Sequence, residues 1–274
     1  MTRDLKDRRI LITGASSGIG KALAQQLASL GARLILAARS EDKLKAVADA
    51  LPSPPGREAG NQGRALVVPA DITKELDRQA LLDRAVQHFG GLDVLINNAG
   101  IASWDHFANS TEEILRQIME VNFFAPAELI RKAIPILVNG VQPAIVNVAS
   151  MCGRRAMPAW SEYSASKYAL CGLTEALRGE LARFDIDILL MIPGLTRSEF
   201  SQHFLRTEGK AKIDYDKGMP PEQVAARIVR SLQKNKTETW IGGDTNWMLR
   251  VNRWFPRLVD WLIARRVRKL YETG

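Results

Sequence analysis

The segment RRILITGASSGIG (residues 8–20) decides the fold. Its apolar run, Ile10 to Ile12, gives way to glycines and small polar side chains, and Ile19, Leu23, Leu27 and Leu30 then follow at helical spacing. A short apolar run, a glycine turn and a 3.6-residue period read as strand, turn and helix. Gly31 stands where a glycine commonly closes a helix.

The alternation continues from there. Strands are expected over residues 32–38, 64–71, 92–100, 143–150, 185–194 and 237–243. Helices are expected over 40–51 with Ser40 as N-cap, 74–90, 110–138 with Ser110 and Glu113 as a capping box, 160–184, and 220–234 with proline at its start. Residues 52–63, PSPPGREAGNQG, read as a surface loop, the segment most prone to disorder. Strands alternating with helices mean an α/β fold, a parallel sheet covered on both faces and doubly wound by right-handed crossovers. One Rossmann-type domain over residues 1–243 and a helical tail over 244–274 account for the chain, with no internal repeat.

The 274 residues, 46% hydrophobic and 25% charged, are ordinary for a large domain that needs no staple. Cys152 and Cys171 form neither a zinc spacing nor a disulfide framework and read as small hydrophobes. His88, His106 and His203 do not cluster with carboxylates, so no metal is expected. The N-terminus shows no signal-peptide core, and no apolar run is long enough to span a bilayer. A reducing, cytoplasmic setting is the expectation.

Sheets of this kind bind ligands beyond the C-terminal ends of their strands. The first strand ends in TGASSGIG, where Gly14, Gly18 and Gly20 let the backbone turn sharply and approach a pyrophosphate at a helix N-terminus. The second ends in AARS, at the position that selects the ribose. Ala38 offers no carboxylate for NAD, Arg39 suits a 2′-phosphate dianion, and Ser40 adds a hydroxyl, so NADP(H) is the expected cofactor. Asp71, ending the third strand, is placed either to accept from an adenine amine or to cap the next helix with Thr73. The fourth strand ends in NNAG, where Asn98 and Gly100 approach the cofactor and Asn97 reads equally well as structural.

The helix that follows the fifth strand carries YSASK, residues 163–167. Tyr163 and Lys167 share a helix face, about 6 Å apart along the axis. A free phenol titrates near 10, and a neighbouring ammonium lowers that value. Ser150 ends the fifth strand as a hydroxyl donor. A proton carrier, a cation and a donor for a carbonyl oxygen are the groups that hydride transfer between nicotinamide and a C–O carbon requires.

On TGASSGIG, NNAG, Asn122 in MEVNFFAP, Ser150, YSASK and Pro193–Gly194, in that order, the sequence resembles the short-chain dehydrogenase/reductases over roughly residues 7–242. The resemblance implies Tyr163 as general acid/base, Ser150 as the group that orients substrate oxygen, Lys167 as ribose ligand that lowers the Tyr163 pKa, and Asn122 as holder of a relay water. It adds cofactor contacts from Ser16, Ser17 and Ile19 in the glycine loop, Ile72 beside Asp71, and Ala99 before Gly100. It also adds Pro193, Gly194, Thr196 and Ser198 after the sixth strand, with serine at the usual threonine site. The AARS strand end is similar to that of members using NADPH, and pairing through residues 111–138 and 160–184 would give a homodimer or homotetramer.

Ile101, Trp104, Met151, Met157 and Trp160, with residues 195–219, are expected to wall an apolar pocket for a lipophilic carbonyl or alcohol, and Arg154 and Arg155 are candidates for holding an anionic substrate. The net charge is +8, and residues 250–274, with seven basic side chains against Asp260 and Glu272, carry +5 of it. In that tail Trp247, Val251, Trp254, Leu258 and Trp261 form one apolar stripe flanked by arginines, split by Pro256 into two helices. Two readings stand: peripheral membrane contact through residues 244–274, or packing over the substrate cleft or on a neighbouring subunit. Nucleic acid is not an expected partner. The rivals to a redox enzyme are a dinucleotide-binding regulator without turnover and a lyase or isomerase on the same fold.

Overall fold

The computed structural model describes residues 2–52, 65–210 and 214–272, without the side chains of Ser201, His203 and Tyr271. The loop expected over residues 52–63 therefore lies, beyond Pro52, outside the described residues. The strands are β1 (Arg9–Thr13), β2 (Arg33–Ala38), β3 (Ala65–Pro69), β4 (Val94–Asn97), β5 (Ala144–Val148), β6 (Asp187–Pro193) and β7 (Glu238–Ile241). They form one parallel sheet in the order β3-β2-β1-β4-β5-β6-β7.

The helices are α1 (Gly18–Ser29), α2 (Glu41–Asp49), α3 (Glu75–Phe89), α4 (Glu112–Met119), α5 (Ala125–Leu137), α6 (Ser161–Leu181), α7 (Pro221–Gln233), α8 (Gly243–Trp254) and α9 (Pro256–Glu272). The two-residue period of each strand sends alternate side chains to opposite faces. Ile10, Ile12, Leu34 and Leu36 pack with α1, α2 and α7, while Leu11, Ile35, Leu95 and Ile145 pack with α3 and α5. Each fully buried aliphatic side chain contributes about 1.5–3 kcal/mol. Every residue of β4 and β5 is buried, and both strands read as apolar runs broken only by Asn97 and Asn147.

Two expectations for residues 110–138 are corrected. The cap is Thr111, whose Oγ1 accepts from the Ile114 N–H at 3.3 Å, and not Ser110. The helix runs without a gap from Glu112 to Leu137, but it is not α-helical throughout: residues Glu120–Phe124 widen into a π-helical turn between α4 and α5. Pro126 supplies the reason: it has no N–H, and its ring excludes the carbonyl four residues back, that of Asn122. Pro256 separates α8 from α9 as expected.

At the sheet edge opposite the strand ends, the buried Asp93 carboxylate accepts from the Arg9 backbone N–H (2.8 Å), from Arg9 Nε (3.0 Å) and Nη2 (2.6 Å), and from the Val141 N–H (2.8 Å). Burial opposes the charge, but these bonds hold the Asp93 carboxyl below its ordinary value. Replacing Asp93 with Ala strands a half-buried guanidinium, and the expected loss is about 2–4 kcal/mol in urea unfolding. A loss below about 0.5 kcal/mol would contradict this reading of the clamp.

Candidate active site

The glycine loop is shaped by contact with the end of β4. Gly14 and Gly18 adopt φ of +65° and +50°, and a Cβ on Gly20 would lie 2.1 Å from the Gly14 carbonyl oxygen. Thr13 Oγ1 accepts from the backbone N–H groups of Asn98 (3.0 Å) and Ala99 (3.1 Å), and Asn98 Nδ2 donates to the carbonyls of Thr13 (3.0 Å) and Gly14 (3.2 Å). Asn98 is thus a positioning residue. Ser17 precedes α1 in extended conformation and makes no side-chain cap bond, so the first N–H groups of the helix are available to an anion. Asn97 is structural, its Nδ2 donating to Asn147 Oδ1 at 2.9 Å while Asn147 donates to Thr174 Oγ1 at 2.9 Å.

A cavity of about 980 Å³ runs along the C-terminal strand ends. Every residue expected to touch the cofactor lines it except Gly20, which packs behind the loop. Arg39 and Ser40 are joined there by Lys43, which sequence reasoning missed. The signal was its place one turn from Arg39, with its N–H donating to the capping Ser40 Oγ at 3.5 Å. Asp71 also lines the cavity, but its Oδ1 accepts from Thr73 Oγ1 (2.8 Å) and the Thr73 N–H (3.1 Å), which is the turn-forming alternative. Burial works against the Asp71 charge, and the Thr73 bonds outweigh it and keep the carboxyl low. Ser198 closes over the loop, 3.3 Å from where a Gly18 Cβ would stand, and Thr196 Oγ1 donates to the Gly194 carbonyl at 3.2 Å. A backbone cradle that a single methyl would fill, at a helix N-terminus with two cations nearby, fits a dinucleotide pyrophosphate and ribose.

Tyr163 and Lys167 lie on the buried face of α6, beside the small Ser164 and Ser166. Lys167 Nζ donates to the Val148 carbonyl at 3.2 Å and lies 5.7 Å from the Tyr163 ring centroid. Ser150 caps the turn after β5, accepting from the Cys152 N–H at 3.2 Å, and its hydroxyl also bonds the Tyr163 phenol. The lowered phenol pKa expected from Lys167 is not what this geometry gives. Burial pushes the phenol up, the buried Cys152 thiol adds to this, and the Ser150 bond opposes it. Burial lowers Lys167 instead, to about 8.

Asn122 sits behind the cavity wall in the π-helical turn. Its Oδ1 accepts from the Ile101 N–H (2.9 Å), and its Nδ2 donates to the Ile101 carbonyl (2.9 Å) and to Ser166 Oγ (2.9 Å). The side-chain amide is therefore committed to joining the loop after β4 to α6.

Ile101, Trp104, Met151, Met157 and Trp160 all line the cavity, joined by Phe200 and Tyr215 from the expected 195–219 wall. The tail closes this end: Met248 of α8 and Ile263, Val267 and Leu270 of α9 line the cavity too. Packing over the cleft is thus observed. Arg154 and Arg155, the candidates for an anionic substrate, do not line the cavity, whereas Arg266 of α9 does. Arg154 pairs with Glu175 and, at 2.6 Å, with Glu238, and Arg155 reaches Asp260 at 2.6 Å and Asn252 at 3.2 Å, which latches the tail to the body.

The family model described as short chain dehydrogenase matches residues 8–209. The chain belongs to the short-chain dehydrogenase/reductase family. It is similar to the uncharacterized oxidoreductase YxnA of Bacillus subtilis, 33% identical over 96% of this chain and 73% of the relative. It is likewise similar to 11-beta-hydroxysteroid dehydrogenase A of Sesamum indicum, 34% identical over 95% and 76%. Among solved structures, a family member from Burkholderia phymatum in complex with NAD superposes with TM-score 0.82 at 24% identity, over 93% of this chain and 96% of that one. One from Burkholderia cenocepacia in complex with NADP gives 0.79 at 23% identity, over 95% and 99%. This member of the family therefore shares the dinucleotide fold and its oxidoreductase chemistry.

A buried lysine lowered from 10.5 to about 8 carries a stability penalty on the order of 3 kcal/mol. The unfolded chain holds the proton more firmly, so the penalty is full below pH about 8 and is relieved as pH rises toward 10.5. Lys167→Met should melt at or above the wild-type temperature at pH 7, and the gap should narrow toward pH 10. A variant that melts well below wild type at pH 7 would contradict this.

Proposed function

We propose that the protein is an NADPH-dependent reductase of a lipophilic ketone or aldehyde, with Tyr163 as proton donor. The observation that carries this reading is the convergence of Ser150, Tyr163 and Lys167 on the same cavity as the glycine cradle. When bound, the dinucleotide supplies the hydride to the carbonyl carbon. Ser150 holds the carbonyl oxygen and Tyr163 delivers its phenolic proton there, so an alcohol and a phenolate result. The phenol is protonated at neutral pH, the form that donation needs; burial makes it a weaker acid, which the Ser150 bond opposes. The Lys167 ammonium lies 5.7 Å from the Tyr163 ring centroid and lines the same cavity, where it is placed to hold the nicotinamide ribose. Asn122 contributes by position: its side-chain amide is occupied by Ile101 and Ser166, and Pro126 removes the N–H that would ordinarily meet its carbonyl in an α-helix.

NADPH over NADH is supported by Arg39 and Lys43 lining the cavity where Ala38 offers no acid. A bulky apolar substrate is supported by the aromatic cluster in which Trp160 lies 5.4 Å from Tyr163 and 5.3 Å from Phe204, ring to ring, and by the relative named as a hydroxysteroid dehydrogenase. Two copies of the chain pair through the α4–α5 and α6 faces, where Phe124 and Tyr168 are exposed; a monomer in light scattering would remove this part.

A fused-ring ketone panel, read by NADPH absorbance, tests the assignment. Tyr163→Phe should lower turnover by about 10²–10⁴-fold while NADPH affinity stays within about threefold. Turnover that survives this change contradicts the proton-donor role. NADPH binding without turnover on any ketone would leave a regulator, and product without NADPH loss a lyase or isomerase. Arg39→Ala should weaken NADPH binding about 10–100-fold and leave NADH nearly unchanged; equal effects on both would contradict the 2′-phosphate assignment.

A further inference from the structure

The tail has two faces, and only the inner one is explained by the cavity. Thr245, Leu249 and Val259 are buried against the body, and Met248, Ile263 and Val267 line the cavity. The outer face holds Trp247 (64% exposed), Trp254 (75%), Phe255 (61%), Leu258 (48%) and Trp261 (54%). Large aromatic rings in one exposed stripe mark a surface with a partner. Arg250, Arg253, Arg257 and Arg265 are exposed on the same two helices, and the Arg265 guanidinium stands 5.3 Å from the Trp261 ring centroid.

We infer that the outer face of α8 and α9 docks on an anionic lipid bilayer, lying in its interface with the cavity beneath. Three observations select lipid. Tryptophan prefers the zone where an apolar body meets a polar layer, and arginine can carry its stem into that zone while its head stays among phosphates. The charge is of one sign: residues 250–274 carry +5, of which Arg266 lines the cavity, and Asp260 of that segment is already paired with Arg155. A second copy placed symmetrically on this face would set arginines against arginines. Spanning is not the mode, since among the described residues no helix is long and apolar enough to cross a membrane. The latch from Arg155 to Asp260 and Asn252 holds the tryptophans outward while the opposite side roofs the cavity. A bilayer-dissolved substrate would then have its shortest route through the tail, a consequence that rests on the proposed lipophilic substrate. The docking itself does not.

Full-length protein is sedimented with vesicles of phosphatidylcholine alone or mixed with phosphatidylserine. The anionic vesicles should retain at least about tenfold more protein at low salt, and that excess should vanish in 1 M salt, where screening acts over about 3 Å. Trp254→Ala with Trp261→Ala should reduce anionic binding at least about tenfold, with an unchanged melting temperature and unchanged turnover of a water-soluble ketone. If that pair melts early, Arg253→Glu with Arg257→Glu takes its place, with the same loss expected. No sedimentation with anionic vesicles at low salt overturns the inference, as does binding that ignores both variants. A tryptophan variant that turns a dimer into a monomer identifies a second copy as the occupant and also overturns it. Turnover is read separately, so failure of lipid docking and failure of the redox reading are told apart.

Discussion

Hydrogen bonds from Thr13 and Asn98 tie the end of β1 to the end of β4, and the functional site is built around that junction. The two strands are neighbours, yet the chain leaves β1 toward β2 on one side and β4 toward β5 on the other. Diverging loops above adjacent strands open a crevice. The lock holds the crevice at a fixed width while the backbones approach within contact distance, so Gly14 and Gly20 admit no side chain. The N-terminus of α1 is aimed into the crevice from one flank, and Ser150, Tyr163 and Lys167 enter from the other.

The chemistry there follows from desolvation more than from charge pairing. A phenol and an amine buried together move apart in pKa, the phenol upward and the amine downward, because each resists ionising without water. Such an arrangement is costly for a resting fold. It is surrounded by elements with purely structural duties, of which the Asp93 clamp and the Asn97–Asn147–Thr174 chain are the clearest.

Much of this was legible in the amino-acid sequence. All seven strands were, because most of them are short, mainly apolar runs set off by glycine, proline or polar residues. The glycine loop and YSASK were legible because their chemistry depends on local spacing. Features set by tertiary contact were less so. The π-helical turn required linking Pro126 to a carbonyl four residues earlier. Lys43 depended on where α2 lies relative to the cavity. The Arg154 and Arg155 partners are distant in sequence, Glu238 and Asp260 among them. The tail was read as one stripe, yet Val259, Ile263, Val267 and Leu270 form a second, at steps of four and three, on the side facing the cavity.

In the proposed function hydrogen moves directly within the cavity between a coenzyme ring and a substrate carbon, with the proton coming from the protein. The most direct measurement follows an isotope. NADPH carrying deuterium at the ring's transferable position is incubated with the protein and a fused-ring ketone, and the alcohol is analysed by mass spectrometry. One deuterium bound to the carbinol carbon is the predicted result. Alcohol that takes that hydrogen only from solvent would contradict the account.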